Sequence, residues 1–424
     1  MTNLERARAI LGGSAGNLVE WYDWFAYAAF SLYFAPVFFP GGDQTAQLLQ
    51  TSAVFAVGFF ARPVGAWLLG VFADRAGRKS ALSLAVGAMC LGSLIVALTP
   101  GYDRIGAAAP VILVAARLLQ GLSLGGEYGA SAVYLAEMAG RSRRGLWSSF
   151  QFVTLIGGQI AALLVAIGLQ AVLTPAQLQA WGWRIPFVIG AMLALVVWWI
   201  QTHLQETASF RAVKAQPRQG SVTWRLLLDH PRECGIIFAL SAGGSLSFYV
   251  FTTYIQTFLV NTAHFSKAAA SQVSLASLVV YLAAQPAGGW LADKVGRRTL
   301  LAAAFVGGAA MVWPVMSALA HAGSALVAFA LVSGALIVLT GYSSVSAVVK
   351  SELFPTEVRG LGVSLPYALA NAIFGGTAEY VALSFKKAGA ESAFYIYVAV
   401  VLAFAAAVAI AMRETRTYSR ITED

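Results

Sequence analysis

The chain has 424 residues, of which 58% are hydrophobic and only 11% charged, with a formal net charge of +9 and a mean hydropathy of +0.71. An ordinary soluble domain is about 25% charged, and 28 basic with 19 acidic side chains cannot coat a water-soluble protein of this length. A soluble enzyme is therefore excluded, and the expected class is an all-α integral membrane protein.

The first residues, MTNLERARAI, carry Arg6 and Arg8 and run into an apolar segment with acids inside it, so no cleavable leader is expected. A bilayer core takes roughly 20 mostly apolar residues per helix. On that measure, spans are predicted near 12–36, 48–72, 80–99, 110–136, 147–172 and 184–202, and again near 233–260, 270–291, 299–320, 324–348, 361–385 and 391–411. Twelve spans put both termini on one side. The longest polar stretch, 203–231, reads as a linker between an amino-terminal bundle of six helices (1–202) and a carboxy-terminal one (232–412), with 413–424 as a tail. Cys90 and Cys234 are too few for a disulfide framework, and His203, His230, His264 and His321 show no ligand spacing, so neither a metal nor a cofactor is expected.

Basic residues test the count. Twenty-one fall on one side of the twelve-span arrangement and five, Arg104, Arg184, Lys267, Lys386 and Lys387, on the other. Basic loops stay in the cytoplasm, which makes both termini cytoplasmic. The base is spread over short loops, Lys350 among them, and needs no nucleic-acid partner.

The chain also repeats itself. Gly70-Val-Phe-Ala-Asp74-Arg75-Ala-Gly77-Arg78-Lys79 follows span two, and Gly289-Trp-Leu-Ala-Asp293-Lys294-Val-Gly296-Arg297-Arg298 follows span eight. Glu137 with Arg144-Gly145 after span four is matched by Glu352 with Arg359-Gly360 after span ten. Two matches at nearly one offset imply two similar bundles related by an axis along the membrane normal. Each aspartate either pairs with a basic residue, Arg144 for Asp74 and Arg359 for Asp293, or sits at a helix N-terminus. A contact that forms in one conformation and breaks in another is a gate.

These paired loops resemble the signature loop of the major facilitator superfamily of secondary transporters. Further stretches are similar to its metabolite:proton symporters: Gly16-Asn-Leu-Val-Glu20-Trp-Tyr-Asp23-Trp24, Gly58-Phe-Phe-Ala-Arg62-Pro63, Ala116-Arg117-Leu-Leu-Gln120-Gly121 and Trp181-Gly-Trp183-Arg184-Ile-Pro186-Phe187. Within that subgroup Gly125-Gly126-Glu127-Tyr128-Gly129, Thr154 to Gln159, Phe251 to Tyr254 and Asn371 to Tyr380 look most like its α-ketoglutarate carriers. The resemblance implies a monomeric symporter in a bacterial inner membrane, whose partners are a small dicarboxylate, a proton and the bilayer. Span five lacks the glycine-proline motif usual in the superfamily's antiporters, which favours symport.

Six ionisable residues remain at membrane depth: Glu20, Asp23, Arg62, Arg117, Glu127 and Glu379. A lone charge at a helix centre costs about 2.5–3.5 kcal/mol on insertion scales, so each must face a partner, the bundle interior or water. Arg62 and Arg117 suit a dianion, because a guanidinium grips a carboxylate through two parallel hydrogen bonds. Pro63 frees a backbone carbonyl one turn earlier, beside Arg62. Glu20 and Asp23 share a helix face and repel one another, a tension that one proton relieves. Asp23 and Glu127 are the alternative proton carriers, Glu127 being otherwise a counter-ion of Arg117. Gly121, Gly125 and Gly129 form a small-residue ladder for close helix packing. The carboxy-terminal bundle offers Tyr249, Thr253, Tyr254, Tyr367 and Asn371 as hydrogen-bonding groups for the substrate. Glu379 lies close enough to the outer end of span eleven to snorkel. The alternative within the resemblance is a proton symporter for citrate, shikimate or a zwitterion such as betaine or proline. Three other classes fit less well: a membrane receptor that binds the metabolite without moving it would need an output domain, a channel would need a repeated pore-lining ring, and an integral-membrane enzyme would need a catalytic constellation that the sequence lacks.

Overall fold

The computed structural model describes residues 3–76, 78–125, 132, 136, 143–203, 229–355, 358–419 and 421; side chains are described from Asn17 onward, apart from 70–71, 73–82 and 200–203. Among the described residues lie twelve long helical segments: α1 (Asn3–Phe38), α2 (Gln44–Ala76), α3 (Arg78–Leu98), α4 (Ala108–Leu124), α5 (Arg144–Val172), α6 (Ile185–His203), α7 (Pro231–Asn261), α8 (Lys267–Val295), α9 (Arg297–Ala320), α10 (Ala325–Glu352), α11 (Arg359–Ala370 continued by Ala378–Lys387) and α12 (Glu391–Ala411). Number and order match the expected spans. α1 begins earlier than expected, and most of the 203–231 linker lies outside the described residues.

Packing repeats between the halves. In the first, α1 lies on α5 and α6, α2 on α4, and α3 on α4 and α6; in the second, α7 lies on α11 and α12, α8 on α10, and α9 on α10 and α12. Each contact has its counterpart six helices later, which is the two-bundle arrangement of a major facilitator fold. The bundles meet where α5 lies on α8 and where α2 lies on α11.

Small residues set the closest approach. A Cβ placed on Gly121 of α4 would stand 2.0 Å from the Gly58 carbonyl oxygen of α2, and one on Gly125 would stand 2.1 Å from the Arg62 carbonyl oxygen. Gly65 answers from α2, its added Cβ meeting the Leu122 oxygen at 2.1 Å. The expected ladder thus works through Gly121 and Gly125, while Gly129 lies outside the described residues. This contact seats Arg62, and α2 continues through Pro63 without a break.

The second bundle departs from regular helix at two places. α7 carries a π-turn over Val250–Tyr254 and α11 one over Asn371–Gly375. A π-turn inserts a residue and rotates the side chains beyond it, and such turns cluster at functional sites. Gly375 lets Tyr249 settle against α11, since a Cβ there would stand 2.9 Å from the Tyr249 ring.

Gly65→Ala should cost about 1–3 kcal/mol through forced overpacking of α2 on α4. Gly87→Ala, on an exposed face with nothing within 4 Å of its added Cβ, should be neutral. Thermal unfolding of the two purified variants in detergent checks the contrast.

Candidate functional site

Two buried guanidinium groups form the centre of the first bundle. Arg62 is 5% exposed and Arg117 is fully buried. The Trp24 indole stands between them, its centroid 4.2 Å from the Arg62 Cζ and 3.9 Å from that of Arg117. Phe59 and Trp21 complete the cage of Arg62 at 4.1 and 5.1 Å, and Tyr27 and Phe55 that of Arg117 at 4.5 and 5.3 Å. A desolvated cation over an aromatic face gains about 2 kcal/mol. Gly58 admits the indole, for a Cβ there would lie 2.7 Å from Trp24.

Asp23 is joined to Arg117 through an amide. Its two oxygens accept hydrogen bonds from the Ser93 hydroxyl at 2.5 Å and from the Gln120 amide at 2.6 Å, while Gln120 Oε1 accepts from Arg117 Nη1 at 2.8 Å. Gly190 of α6 gives the carboxylate room, since a Cβ there would stand 2.5 Å from Asp23 Oδ1. Asp23 thus looks toward α3, α4 and α6. Glu20, expected to repel it, instead lines the cavity beside Arg62, within electrostatic reach of that guanidinium.

The second bundle closes over Arg62. The Tyr249 hydroxyl lies within hydrogen-bonding reach of both Arg62 and Asn371, and Asn371 donates to the Tyr367 hydroxyl at 3.3 Å. A cavity of about 20 Å³ remains, lined by Asn17, Glu20 and Trp21 of α1, Arg62 of α2, and Tyr367 and Asn371 of α11, among others. That is room for about one water molecule.

Among the described residues the bundles touch near both ends of the interface. On the face bearing the basic loops, Gly145 and Gly289 pack so closely that a Cβ on either would stand 2.4–2.5 Å from the other's carbonyl oxygen. There Asp293 accepts hydrogen bonds from the backbone N–H groups of Gly145 at 2.9 Å and Leu146 at 3.0 Å, capping the start of α5 in the opposite bundle, and pairs with Arg297 at 3.1 Å. Arg297 also lies 3.6 Å from Glu352, which accepts from Thr415 of the tail at 2.6 Å. Gly296 turns the chain with φ +97°, a conformation glycine adopts without strain, and Glu414 caps α9 through the N–H groups of Arg297 and Arg298, both at 3.0 Å. On the opposite face Lys267 donates to the Leu32 carbonyl at 2.5 Å, Gln170 to Ser271 at 3.0 Å, and Asn261 to Thr45 at 3.3 Å.

Of the two alternatives for Asp293 the helix N-terminus holds, and Arg359 Nε donates to the Phe354 carbonyl of its own bundle at 3.2 Å. Arg144 is buried near Ser419, at 3.5 Å, and its pairing with Asp74 lies outside the described residues. Other expectations change. Arg117 stands behind Trp24 and does not line the cavity. Tyr254 packs on Phe258 and Phe394 within its bundle, and Thr253 faces Gln159, whose amide donates to the Thr252 carbonyl at 2.8 Å. Glu379 does not snorkel: it is 8% exposed and accepts from Thr257 of α7 at 2.7 Å, because α11 turns it inward against α7. Glu127, Gly77 and the side chains of Asp74, Arg75 and Arg78 lie outside the described residues. Sequence reasoning missed Ser93 as an Asp23 partner and the burial of Lys350; periodicity reports a face but not which neighbour that face meets.

Two pseudo-symmetric bundles that meet around a buried cationic centre are the architecture of a secondary transporter that works by alternating access. The chain belongs to the sugar (and other) transporter family, whose profile matches residues 9–222 and 205–421. It is 50% identical over 395 residues to the α-ketoglutarate permease of Escherichia coli strain K12, covering 93% of this chain and 90% of that one. It is 35% identical over 378 residues to a citrate-proton symporter of Klebsiella pneumoniae, covering 88% and 83%. Among solved structures it resembles the proton:xylose symporter XylE of E. coli, with a TM-score of 0.78, 18% identity, and coverage of 96% of this chain and 95% of that one. The fold therefore holds across a distance at which little sequence is shared.

Asp293→Asn removes a charged acceptor from two backbone donors and Arg297, contacts of about 1.5–3 kcal/mol each. Spin labels at the exposed positions 143 and 298 should report a longer distance in this variant. An unchanged distribution would show that Asp293 does not hold the closed face.

Proposed function

We propose that the protein is a proton-coupled symporter that carries a small dicarboxylate, α-ketoglutarate, into the cytoplasm of a bacterium. The reading rests on Arg62, a buried guanidinium at a cavity between the bundles, in a chain half identical to an α-ketoglutarate permease. Arg62 takes one carboxylate of the substrate, and Tyr249, Tyr367 and Asn371 supply hydrogen bonds from the facing bundle. The cavity must widen to admit any such molecule, so the bundles, 1–202 and 232–412, part on one face at a time. The basic loops mark the cytoplasmic face, and the Asp293 contact is its gate. Lipid surrounds a monomer, both of whose termini are cytoplasmic.

Coupling follows from charge in a low-dielectric centre. Arg62 and Arg117 carry two positive charges, and Asp23 and Glu20 answer them. Neutralising Asp23 with a proton leaves Arg117 without its anion at the far end of the Gln120 bridge, so the centre becomes net cationic and draws the dianion. Without the proton the centre is balanced and the dianion is repelled. With neither ligand the centre is neutral; with both it carries a single net negative charge, spread over carboxylates that Arg62, Tyr249, Tyr367 and Asn371 hydrogen-bond, and in either state it closes. A bare cationic centre is expensive to bury, which keeps the half-loaded carrier from reorienting. Asp23 is the proton carrier in this scheme.

Proteoliposomes loaded at alkaline pH and diluted into acid should accumulate labelled α-ketoglutarate. Uptake indifferent to the gradient, or displaced as well by citrate or shikimate, would overturn the function or its substrate. Arg62→Lys keeps the charge but loses the fork, and uptake efficiency should fall by about tenfold to a hundredfold, as expected for one or two charged hydrogen bonds. Asp23→Asn, fixed in the neutral state, should abolish gradient-driven accumulation and retain counterflow; wild-type accumulation would exclude Asp23 as the carrier.

A further inference from the structure

We propose that Glu379 is a second proton-binding site of the carrier, loaded from the face opposite the basic loops, and that the bundles meet on that face only while it is neutral. The inference rests on the two-bundle carrier reading above and not on the identity of the substrate. Glu379 stands in the first turn of the second segment of α11, Ala378–Lys387, and is 8% exposed. Its Oε1 accepts from the Thr257 hydroxyl of α7 at 2.7 Å, and that neutral donor is its one polar contact among the described residues. The backbone N–H groups of its own turn, which could have answered a carboxylate, do not donate to it.

The elements packed on this segment bring it no cation among the described residues. Lys386 of α11 donates to the Asn261 carbonyl at 2.7 Å and the Thr262 hydroxyl at 2.6 Å and pairs with Glu391 of α12 at 3.7 Å, while Lys387 is exposed. Tyr254 of α7 and Tyr27 of α1 lie within electrostatic reach of Glu379, and the Tyr27 hydroxyl is engaged with the Thr51 carbonyl at 3.0 Å. Glu391 and Tyr395 of α12 act on Tyr254 from its other side and add no positive charge. The one cation among the described side chains of α2 is Arg62, held in its aromatic cage with Glu20 beside it. A buried acid with one neutral donor and no counter-ion is far less costly with its proton than without it.

Part of that burial comes from the other bundle. α2 lies on this segment, and a Cβ on Gly376 would stand 2.4 Å from the Phe59 ring, itself part of the Arg62 cage. Glu379 stands about 12 Å from the end of α11, at 1.5 Å per residue, and its partner Thr257 is one turn from Asn261, whose amide reaches Thr45 of α2. Parting the bundles on this face draws α1 and α2 away and brings water to the carboxyl group, where ionisation is inexpensive. Parting them on the basic face leaves these contacts in place. The proton of Glu379 therefore returns to the side it came from: it sets the pH at which this face closes, and leaves coupling to Asp23.

Spin labels at the exposed positions 44 of α2 and 268 of α8 read this face in purified protein without substrate. Raising the pH should convert a short distance into a longer one, the ratio of the two populations changing by up to about tenfold per pH unit, the slope of one linked proton. Glu379→Gln, neutral at every pH, should hold the short distance into the alkaline range; should it fail to fold, Glu379→Met replaces it. Wild-type distances that ignore pH, or a variant that keeps the wild-type dependence, would overturn the inference. Infrared spectra at neutral pH provide a readout that needs no movement: wild type minus Glu379→Gln should show the C=O band of a protonated carboxyl group, and carboxylate bands in its place would equally overturn it. Protein that behaves as expected in both measurements and takes up no dicarboxylate removes the proposed substrate alone, whereas protein that transports the dicarboxylate and shows neither effect removes the role of Glu379 alone.

Discussion

Two guanidinium groups share one indole ring at the centre of the first bundle, and most of what surrounds them follows from keeping those charges away from lipid. Trp24 stands between Arg62 and Arg117, and the rings of Trp21, Tyr27, Phe55 and Phe59 extend the cage. For a ring of this size to reach both cations, α1, α2 and α4 must approach closely, and the glycines at 58, 65, 121 and 125 permit it. Cation–π contact alone does not offset the desolvation of two charges. Hence the anions: Asp23 through Gln120 for Arg117, and Glu20 beside Arg62. The aromatic content of the first helix and the glycines of the second and fourth serve one electrostatic constraint.

The bundles are symmetric in backbone and asymmetric in chemistry. Every helix contact of the first half has a counterpart in the second, yet the cations of the first centre are answered by tyrosines and an amide across the interface. The π-turns lie only on α7 and α11 among the described residues, the two helices that turn these groups toward Arg62. Equivalent positions can therefore divide the work: one bundle holds charge, and the other adjusts hydrogen bonds around it. The Asp293 contact follows the same logic at the surface, because a carboxylate from one bundle meets backbone donors of the other. Backbone N–H groups cannot rotate away as an arginine side chain can, so this contact reports the relative position of the bundles rather than the rotamer of a residue.

Much of this was legible in the sequence. Hydropathy and the distribution of base gave the twelve helices, and the repeated loops gave the two halves, because both signals are linear in the chain. Arg62, Asp23 and Glu20 stood out because a charge inside a span is rare. What escaped were facts of azimuth and depth. Glu20 and Asp23 sit three residues apart, yet a rotation of about 60° between them is enough to send one toward the cavity and the other toward Ser93. Arg117 carries the same charge as Arg62 but lies behind a ring. Ser93 has no sequence signature at all, being one serine in an apolar helix. For Asp293 the sequence offers a basic partner or a helix N-terminus without choosing between them, and the helix end it caps lies in the other half.

Depth explains the two most instructive misplacements. By its distance from the end of an apolar run, Glu379 reads as near the outer surface and Lys350 as a cytoplasmic loop residue. Both lie close to helix ends in the sequence and both are buried, because the ends of α10 and α11 are covered by neighbouring helices instead of meeting water. Where neighbouring helices cover the end of a span, a position near that end is interior. Distance from the end of an apolar run measures depth along one helix and not the cover its neighbours give, which is why it misplaces both residues.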